Sequence, residues 1–446
     1  MEAAVESRSG GVRPDFIPEA DYTARDLLAR ERARLWPRVW QIACREEEIP
    51  EVGDYLNYEI LDESILLVRV AADEIKAFYN VCQHRGRRLI DNRCGNVART
   101  GFHCGFHGWR YGLNGSLAYV HDRKDWANCP DFDPKRLSLK EPRVGCWGGW
   151  VWINMDRDAE PLLDYLGEFT KVLANFELEK LRFRFYESII APVNWKVVVE
   201  AFNEGYHAGA THIDQIGYST MHSPTVVHGR HTMYYTLFDT MPQVRKNGQW
   251  VSPGTWPEFL YLQLLELHDK LHAMVLEPDM RAAERVRAEC APDATLEQVV
   301  IAYFRFQREE IEKTGAEWPE KLTLEEVFKA GTGWHIFPNT IMLPTVNGVL
   351  WYRMRPYGNN PDQCIFDIWC LERVPKGAPY RKIEPRVWQG FDAFRGNNPF
   401  LEQDFGNMVA VNEGMKSRGW EGARTNPVQE LAISNFHAAL RQYVGG

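Results

Sequence analysis

The stretch YNVCQHRGRRLIDNRCGNVARTGFHCGFHGWRYGLNGSL, residues 79–117, sets Cys82 and His84 in a C-x-H pair and Cys104 and His107 in a C-x-x-H pair. Nineteen residues separate His84 from Cys104, so each pair sits on its own loop. Each loop offers one thiolate and one imidazole. A [2Fe–2S] cluster with two thiolates on one iron and two imidazoles on the other needs two such loops meeting at their tips. Glycines at 86, 101, 105, 108 and 112 permit turns of positive φ through which backbone N–H groups approach sulfur. A structural zinc site competes, since two Cys and two His are also zinc ligands. The usual zinc spacings, however, pair Cys with Cys and His with His, whereas each loop here mixes them. Cys94 lies midway between the loops, and His103 points opposite its neighbour Cys104 if the segment is extended; both are read as non-ligands.

Around this stretch, short β-branched and aromatic runs such as SILLVRV (64–70), IKAFYNV (75–81) and WGGWVWINM (147–155) alternate with turn residues and predict a small all-β domain over 45–155. Upstream, 22–40 has helical apolar spacing broken near Pro37, which predicts an N-terminal helical arm (1–44) packing on a second domain. That second domain, 156–446, shows a helical stretch at 161–176, a strand at 184–191 and a helix from Asn194 to about Ala208. Residues 256–330 read as a helical insertion, 336–374 as antiparallel strands and 428–443 as a terminal helix. The predicted class is α+β: an all-β cluster domain followed by an antiparallel sheet surrounded by helices.

Of 446 residues, 45 % are hydrophobic and 13 % aromatic, enough for two or three cored domains. A net charge of −9 gives no basic field for phosphate backbones or anionic lipid, which argues against nucleic acid and membrane partners. No basic segment followed by an apolar core opens the chain, and no run of about 18 apolar residues occurs, so a cytoplasmic location is expected. Nine scattered Cys do not read as a disulfide framework and leave metal binding open. Neither G-x-G-x-x-G between strand and helix nor G-x-x-x-x-G-K-[ST] is present, so reducing power must come from another protein.

A second constellation lies in NWKVVVEAFNEGYHAGATH, 194–212. Trp195, Val198, Val199, Phe202 and Tyr206 make one apolar helix face, while Glu200, Asn203, Glu204 and His207 gather on another. Gly205 and Gly209 weaken the helix end, leaving His212 free to turn back towards His207. Two imidazoles and one carboxylate with open positions is the arrangement of non-haem Fe(II) centres that activate O2. The competing reading makes both histidines ordinary polar residues at a helix end. Spacing alone does not select a carboxylate.

C-x-H-R-G followed by C-x-x-H-G-W resembles the Rieske domain of the ring-hydroxylating oxygenase large subunits. The second segment is similar to that family's N-W-K-x-x-x-E-x-F-x-[DE]-x-Y-H-x-x-x-x-H motif. The family carries a later Q-D or D-D before a helix; here LEQDFGNM (401–408) matches it, which implies Asp404 as the third iron ligand, with Glu402 a close competitor. The likeness runs from the arm at 22 to NFHAALRQYV at 435–444, with no counterpart for 256–330. It implies a [2Fe–2S] cluster on Cys82, His84, Cys104 and His107, and a mononuclear Fe(II) on His207, His212 and Asp404. A ferredoxin and/or an NAD(P)H-dependent reductase would supply electrons to a homotrimer (α3) or an α3β3 assembly. Three departures stand out: a slightly longer spacer between the loops, Ala201 where Asn is usual, and Glu204 where an Asp ordinarily links the two centres across a subunit boundary.

The implied activity is that of a terminal oxygenase inserting oxygen from O2 into a small apolar, aromatic substrate. MYYTLF (233–238), WPEFLYLQLL (256–265) and WHIFPNTIML (334–343) are the expected pocket walls. Ring dihydroxylation, monohydroxylation and oxidative N- or O-demethylation all fit. A Rieske electron carrier with a docking module, and a zinc-stabilised binding protein, are the readings without oxygenase chemistry.

Overall fold

The computed structural model describes residues 16–24, 26–213, 221–238, 240–246, 249–379 and 381–445. Two compact units emerge: Arg32–Tyr165 forms one, and the segment up to Glu31 together with Leu166–Gly446 forms the other.

The smaller unit is built from three antiparallel sheets. Glu74–Tyr79, Glu63–Ala71, Asp54–Ile60 and Cys94–Asn96 lie side by side in that order. The short strands Phe102–His103, Arg110–Tyr111 and Leu117–Tyr119 form a second sheet, and Arg143–Trp147, Trp150–Asn154 and Gln41–Arg45 a third. Leu66, Val68, Phe78, Phe102 and Tyr111 share one core with Cys82 and Cys104, so both cysteines are anchored in packed apolar surface. The run WGGWVWINM, expected as one strand, is a hairpin whose turn falls at Gly148–Gly149, with Trp147 paired to Trp150. Gln41–Arg45 pairs with Trp150–Asn154, which carries this unit upstream of the expected boundary at 45. Of the arm helix predicted over 22–40, Ala20–Thr23 is an isolated turn, and 27–38 is continuously helical but changes type, from an α turn (Leu27–Arg30) through a wider π turn (Glu31–Leu35) to a 3-10 turn (Trp36–Arg38). Pro37, in the first turn of the Trp36–Arg38 segment, has no N–H to carry on the preceding helix.

In the larger unit one mixed sheet runs Thr225–His228, His231–Tyr234, Gly333–Ile336, Thr340–Leu343, Gly348–Pro356, Cys364–Glu372, Arg182–Ala191 and Arg386–Trp388. All neighbours are antiparallel except the last pair. On the long central strands Ile189 packs into the core from one sheet face, and Trp351 and Trp369 share the other with a buried ionic cluster. There Asp367 accepts from Arg353 at 2.7 Å, Arg355 at 3.2 Å and Ser188 at 2.8 Å, a cross-strand network that would be broken by a slip in register. Residues 256–330 are helical as predicted: Trp256–Leu271, Glu277–Glu289 and Leu296–Lys313 surround a core of Ala282, Val286, Val299 and Phe306. Thr255 and Thr295 cap the first and third of these helices. Among the described residues no helix is long and apolar enough to cross a membrane.

The helix predicted from Asn194 to about Ala208 ends at Phe202 and resumes as the single turn Ala208–Thr211. Its start is held firmly. The Asn194 side chain accepts from the Lys196 N–H at 3.0 Å, and its own N–H donates to Asn412 at 3.0 Å. Trp195 Nε1 and Lys196 Nζ both donate to the Glu31 carboxylate, at 2.9 and 2.8 Å.

Candidate functional site

Two sites come out of these elements, one in each unit. In the smaller unit the loops at Cys82 and Cys104 close by the same hydrogen bonds. The Cys82 N–H donates to Arg87 O at 2.8 Å and the Gly86 N–H to Cys82 O at 3.0 Å; the Cys104 N–H donates to Trp109 O at 2.8 Å and the Gly108 N–H to Cys104 O at 3.1 Å. Gly86 and Gly108 hold φ of +75° and +74°, a region costly to any residue with a Cβ, which is why each loop has glycine four positions after its cysteine. Gly101 also has positive φ, but Gly105 and Gly112 do not, contrary to the expectation for them. The close turns bring the four side chains together. The His84 and His107 rings lie 4.6 Å apart, and the Cys82 and Cys104 thiols are within hydrogen-bonding reach of one another.

Around this quartet the wall is aromatic. Trp109 stacks on His84 at 4.8 Å and 9°, Trp126 meets it edge-on at 5.9 Å, and the Tyr111 hydroxyl is 3.5 Å from Cys82 Sγ. Burial, with His107 beside it, holds His84 below its ordinary pKa, which favours the neutral imidazole; its Nδ1 is buried and makes no hydrogen bond. Burial pushes the Cys82 thiol up, a cost that binding to iron as thiolate removes. An unpartnered imidazole nitrogen beside two buried thiols fits the mixed donor set of a Rieske-type cluster. Cys94 lies on a strand opposite Leu56, and His103 is exposed.

The second site gathers His207, His212 and Asp404, whose donor atoms all lie within 4.8 Å of one another. Helix termination at Asn203 makes this possible. Glu204 turns back so that its Oε2 accepts the N–H groups of Tyr206 and His207, and its Oε1 lies 2.7 Å from His207 Nδ1. The contact predicted between positions 204 and 207 is therefore a capping turn, not one face of a continuous helix. His212 Nδ1 is 2.7 Å from Gln403 Oε1, and its ring stacks on Phe400 at 4.2 Å. With both Nδ1 atoms facing acceptors, the two Nε2 atoms point inward, 3.7 and 3.2 Å from Asp404 Oδ1.

Asp404 Oδ2 is buried with no partner. Burial opposes charge on His207, but the Glu204 and Asp404 carboxylates more than offset it and hold its pKa above the ordinary value, a field that favours a cation. Two inward imidazole nitrogens and an orphaned carboxylate oxygen fit a 2-His-1-carboxylate iron centre. Glu402 is engaged elsewhere, accepting the N–H groups of Gly396 at 2.7 Å and Asn398 at 3.1 Å.

The three groups form one wall of a cavity of about 270 Å3. Phe202, Phe238, Leu267, Leu350, Tyr352 and Phe400 supply much of the rest. Of the expected wall segments, 233–238 contributes Tyr234, Thr236 and Phe238, whereas 256–265 contributes Gln263 alone and 334–343 Leu343 alone. Trp334, Ile336, Phe337 and Ile341 belong to the core. Sequence reasoning missed Gln403, although it adjoins the Asp of the Q-D element, and it missed Phe400 and Tyr352, which carried no signal distinguishing them from other aromatics.

The family model "Ring hydroxylating alpha subunit (catalytic domain)" matches residues 176–446, and the "Rieske [2Fe-2S] domain" model matches 39–130. The carnitine monooxygenase oxygenase subunit of Escherichia coli K12 is 34 % identical over 198 residues, 44 % of this chain and 52 % of that protein. The large oxygenase component of the 2,4-dinitrotoluene dioxygenase system of Burkholderia sp. strain RASC is 33 % identical over 196 residues, 43 % of each. The matched regions thus span about half the length of these relatives. A quaternary ammonium Rieske monooxygenase solved with L-carnitine shares the fold over 97 % of both chains, with a TM-score of 0.64 and 19 % identity. With more than half of its length inside the catalytic-domain match, behind a Rieske [2Fe–2S] domain, the chain belongs to the ring-hydroxylating alpha-subunit family.

Proposed function

We propose that this chain is the terminal oxygenase component of a multicomponent Rieske oxygenase, working in the cytoplasm and oxidising a neutral, apolar substrate with O2. One observation carries this reading: the three-residue metal-ligating group forms a wall of an apolar cavity, with both of its histidines fixed by outer partners. Residues 45–155 carry the cluster on Cys82, His84, Cys104 and His107; residues 156–446 carry the iron on His207, His212 and Asp404. When bound, the cluster supplies single electrons and the iron supplies O2 activation.

The chain's own residues set the conditions for that chemistry. Glu204 and Gln403 keep the Nδ1 protons of His207 and His212 and so direct Nε2 to the metal. Phe400 and Tyr352 keep water from the cavity wall. Glu204, bonded to His207, serves as the link to His107 of a neighbouring subunit in a homotrimer or an α3β3 assembly. A ferredoxin or an NAD(P)H-dependent reductase is the electron donor.

A second reading has a quaternary ammonium compound as the substrate, with oxidative N-demethylation as one outcome; the name of the carnitine monooxygenase relative favours such a substrate, and the aromatic side chains of Tyr234, Phe238 and Phe400 in the wall suit a cation. Turnover under labelled O2 with a panel of bicyclic aromatic and N-methyl compounds decides between them. Labelled hydroxyl groups on ring products are expected. Labelled formaldehyde from N-methyl compounds alone would favour demethylation, and no incorporation from any compound in a protein loaded with both metals would reject the oxygenase.

A further inference from the structure

The iron-side cavity presents few polar groups, and among the described residues its lining includes no Lys or Arg. Its two acids belong to the candidate metal site: Glu204 is bonded to His207 and the backbone, and Asp404 faces the histidine pair through Oδ1 and leaves Oδ2 for the metal. Gln263 is different. It projects from the Trp256–Leu271 helix of the insertion, four and eight residues before Leu267 and Leu271, which line the same cavity, so one helix face is turned to it. Its Oε1 is buried and accepts no hydrogen bond. A buried carbonyl left without a donor is costly, and a ligand that brings an N–H or O–H to it removes that cost.

We propose that Gln263 sets the substrate class, accepting a hydrogen bond from the N–H or O–H of a neutral and otherwise apolar molecule held beside the His207, His212 and Asp404 group. This rests on the oxygenase reading of that group. The wall suits the alternative less well: a quaternary ammonium nitrogen has no N–H to give the carbonyl, and a carboxylate on such a compound meets no cation among the described lining residues. A purely hydrocarbon ring leaves the carbonyl unpaired. Sites built to hydrogen-bond a substrate discriminate against analogues that lack the group, because the site's own polar atom is then stranded.

Indole and benzothiophene are close in shape, and only indole carries an N–H donor. Calorimetric titration of the metal-loaded full chain without O2 compares them directly. Indole is expected to bind about five- to tenfold more tightly than benzothiophene. In Gln263→Leu that preference disappears, with benzothiophene binding at least as well as to the unaltered protein. Equal affinities in the unaltered protein, binding of neither probe, or a preference that survives in Gln263→Leu would overturn the proposal. The comparison in the unaltered protein involves no substitution, so poor folding of the variant does not blunt it. Oxygen incorporation is read separately. A lost preference with incorporation intact rejects only the role of Gln263, and a preference without incorporation rejects only the oxygenase reading.

Discussion

In both His207 and His212 the Nδ1 atom faces an acceptor 2.7 Å away, and Nε2 faces Asp404. The two acceptors differ in kind, and their replacements should differ in effect. Gln403→Leu removes a neutral orienting partner from His212 and is expected to lower iron affinity about ten- to a hundredfold, read as iron lost on dialysis against a chelator, with the cluster spectrum unchanged. Glu204→Gln retains an oxygen for His207 and should keep both centres while slowing single-turnover product formation, again by about tenfold or more. An unchanged rate would remove Glu204 from the path between centres. How much of this was legible varied by residue. The histidines stood out by spacing and Asp404 through a family motif, but Glu402 lay two positions away, and only geometry shows it bonded to Gly396 and Asn398. Gln263 lay inside an expected wall segment, 256–265, but nothing in the sequence singled it out there, because an orphaned carbonyl is a property of its surroundings.

The helix Trp195–Phe202 owes its position to groups outside it. Glu31 reaches from the N-terminal segment to Trp195 and Lys196, and the Glu31 and Lys196 side chains are each 2 % exposed. Glu31→Ala strands a buried ammonium and is expected to cost about 3–5 kcal/mol, read by denaturant unfolding. One turn further along the same helix Glu200 lies 2.6 Å from His437, which also meets Asp21 at 3.7 Å, while Tyr22 donates to Glu200 and Arg441 pairs with Asp21. Burial disfavours the imidazolium, but Asp21 and Glu200 outweigh it and hold His437 above its ordinary pKa of 6.5. Its stabilising contribution is therefore complete below that value and is lost as pH rises through the raised one. Melting temperatures from about pH 6 to about pH 9 should show His437→Gln well below the unaltered protein at the acid end and the gap closing towards the alkaline end. A gap independent of pH would contradict the charge assignment. Periodicity revealed the helix but not its end: Asn203 and Glu204 fit the helical pattern, and the break appears because Glu204 caps the following turn. The same limit hid the Gly148–Gly149 hairpin, since the nine residues 147–155, with three tryptophans, read as one strand until pairing partners are known.

For the whole molecule, the α+β class and the helical insertion were readable from pattern, because long apolar runs and capped helices carry their signal locally. The reach of the smaller unit back to Arg32 was not, since Gln41–Arg45 finds its partner more than a hundred residues downstream. The account as a whole rests on two different iron centres in one chain, and metal analysis addresses that directly. Purified, reconstituted protein should contain three iron atoms and two acid-labile sulfides per chain. Asp404→Ala should lose one iron and keep both sulfides, and Glu402→Ala should lose neither. A folded protein with zinc in place of iron and no labile sulfide, or an Asp404→Ala variant that retains the third iron, would contradict the account.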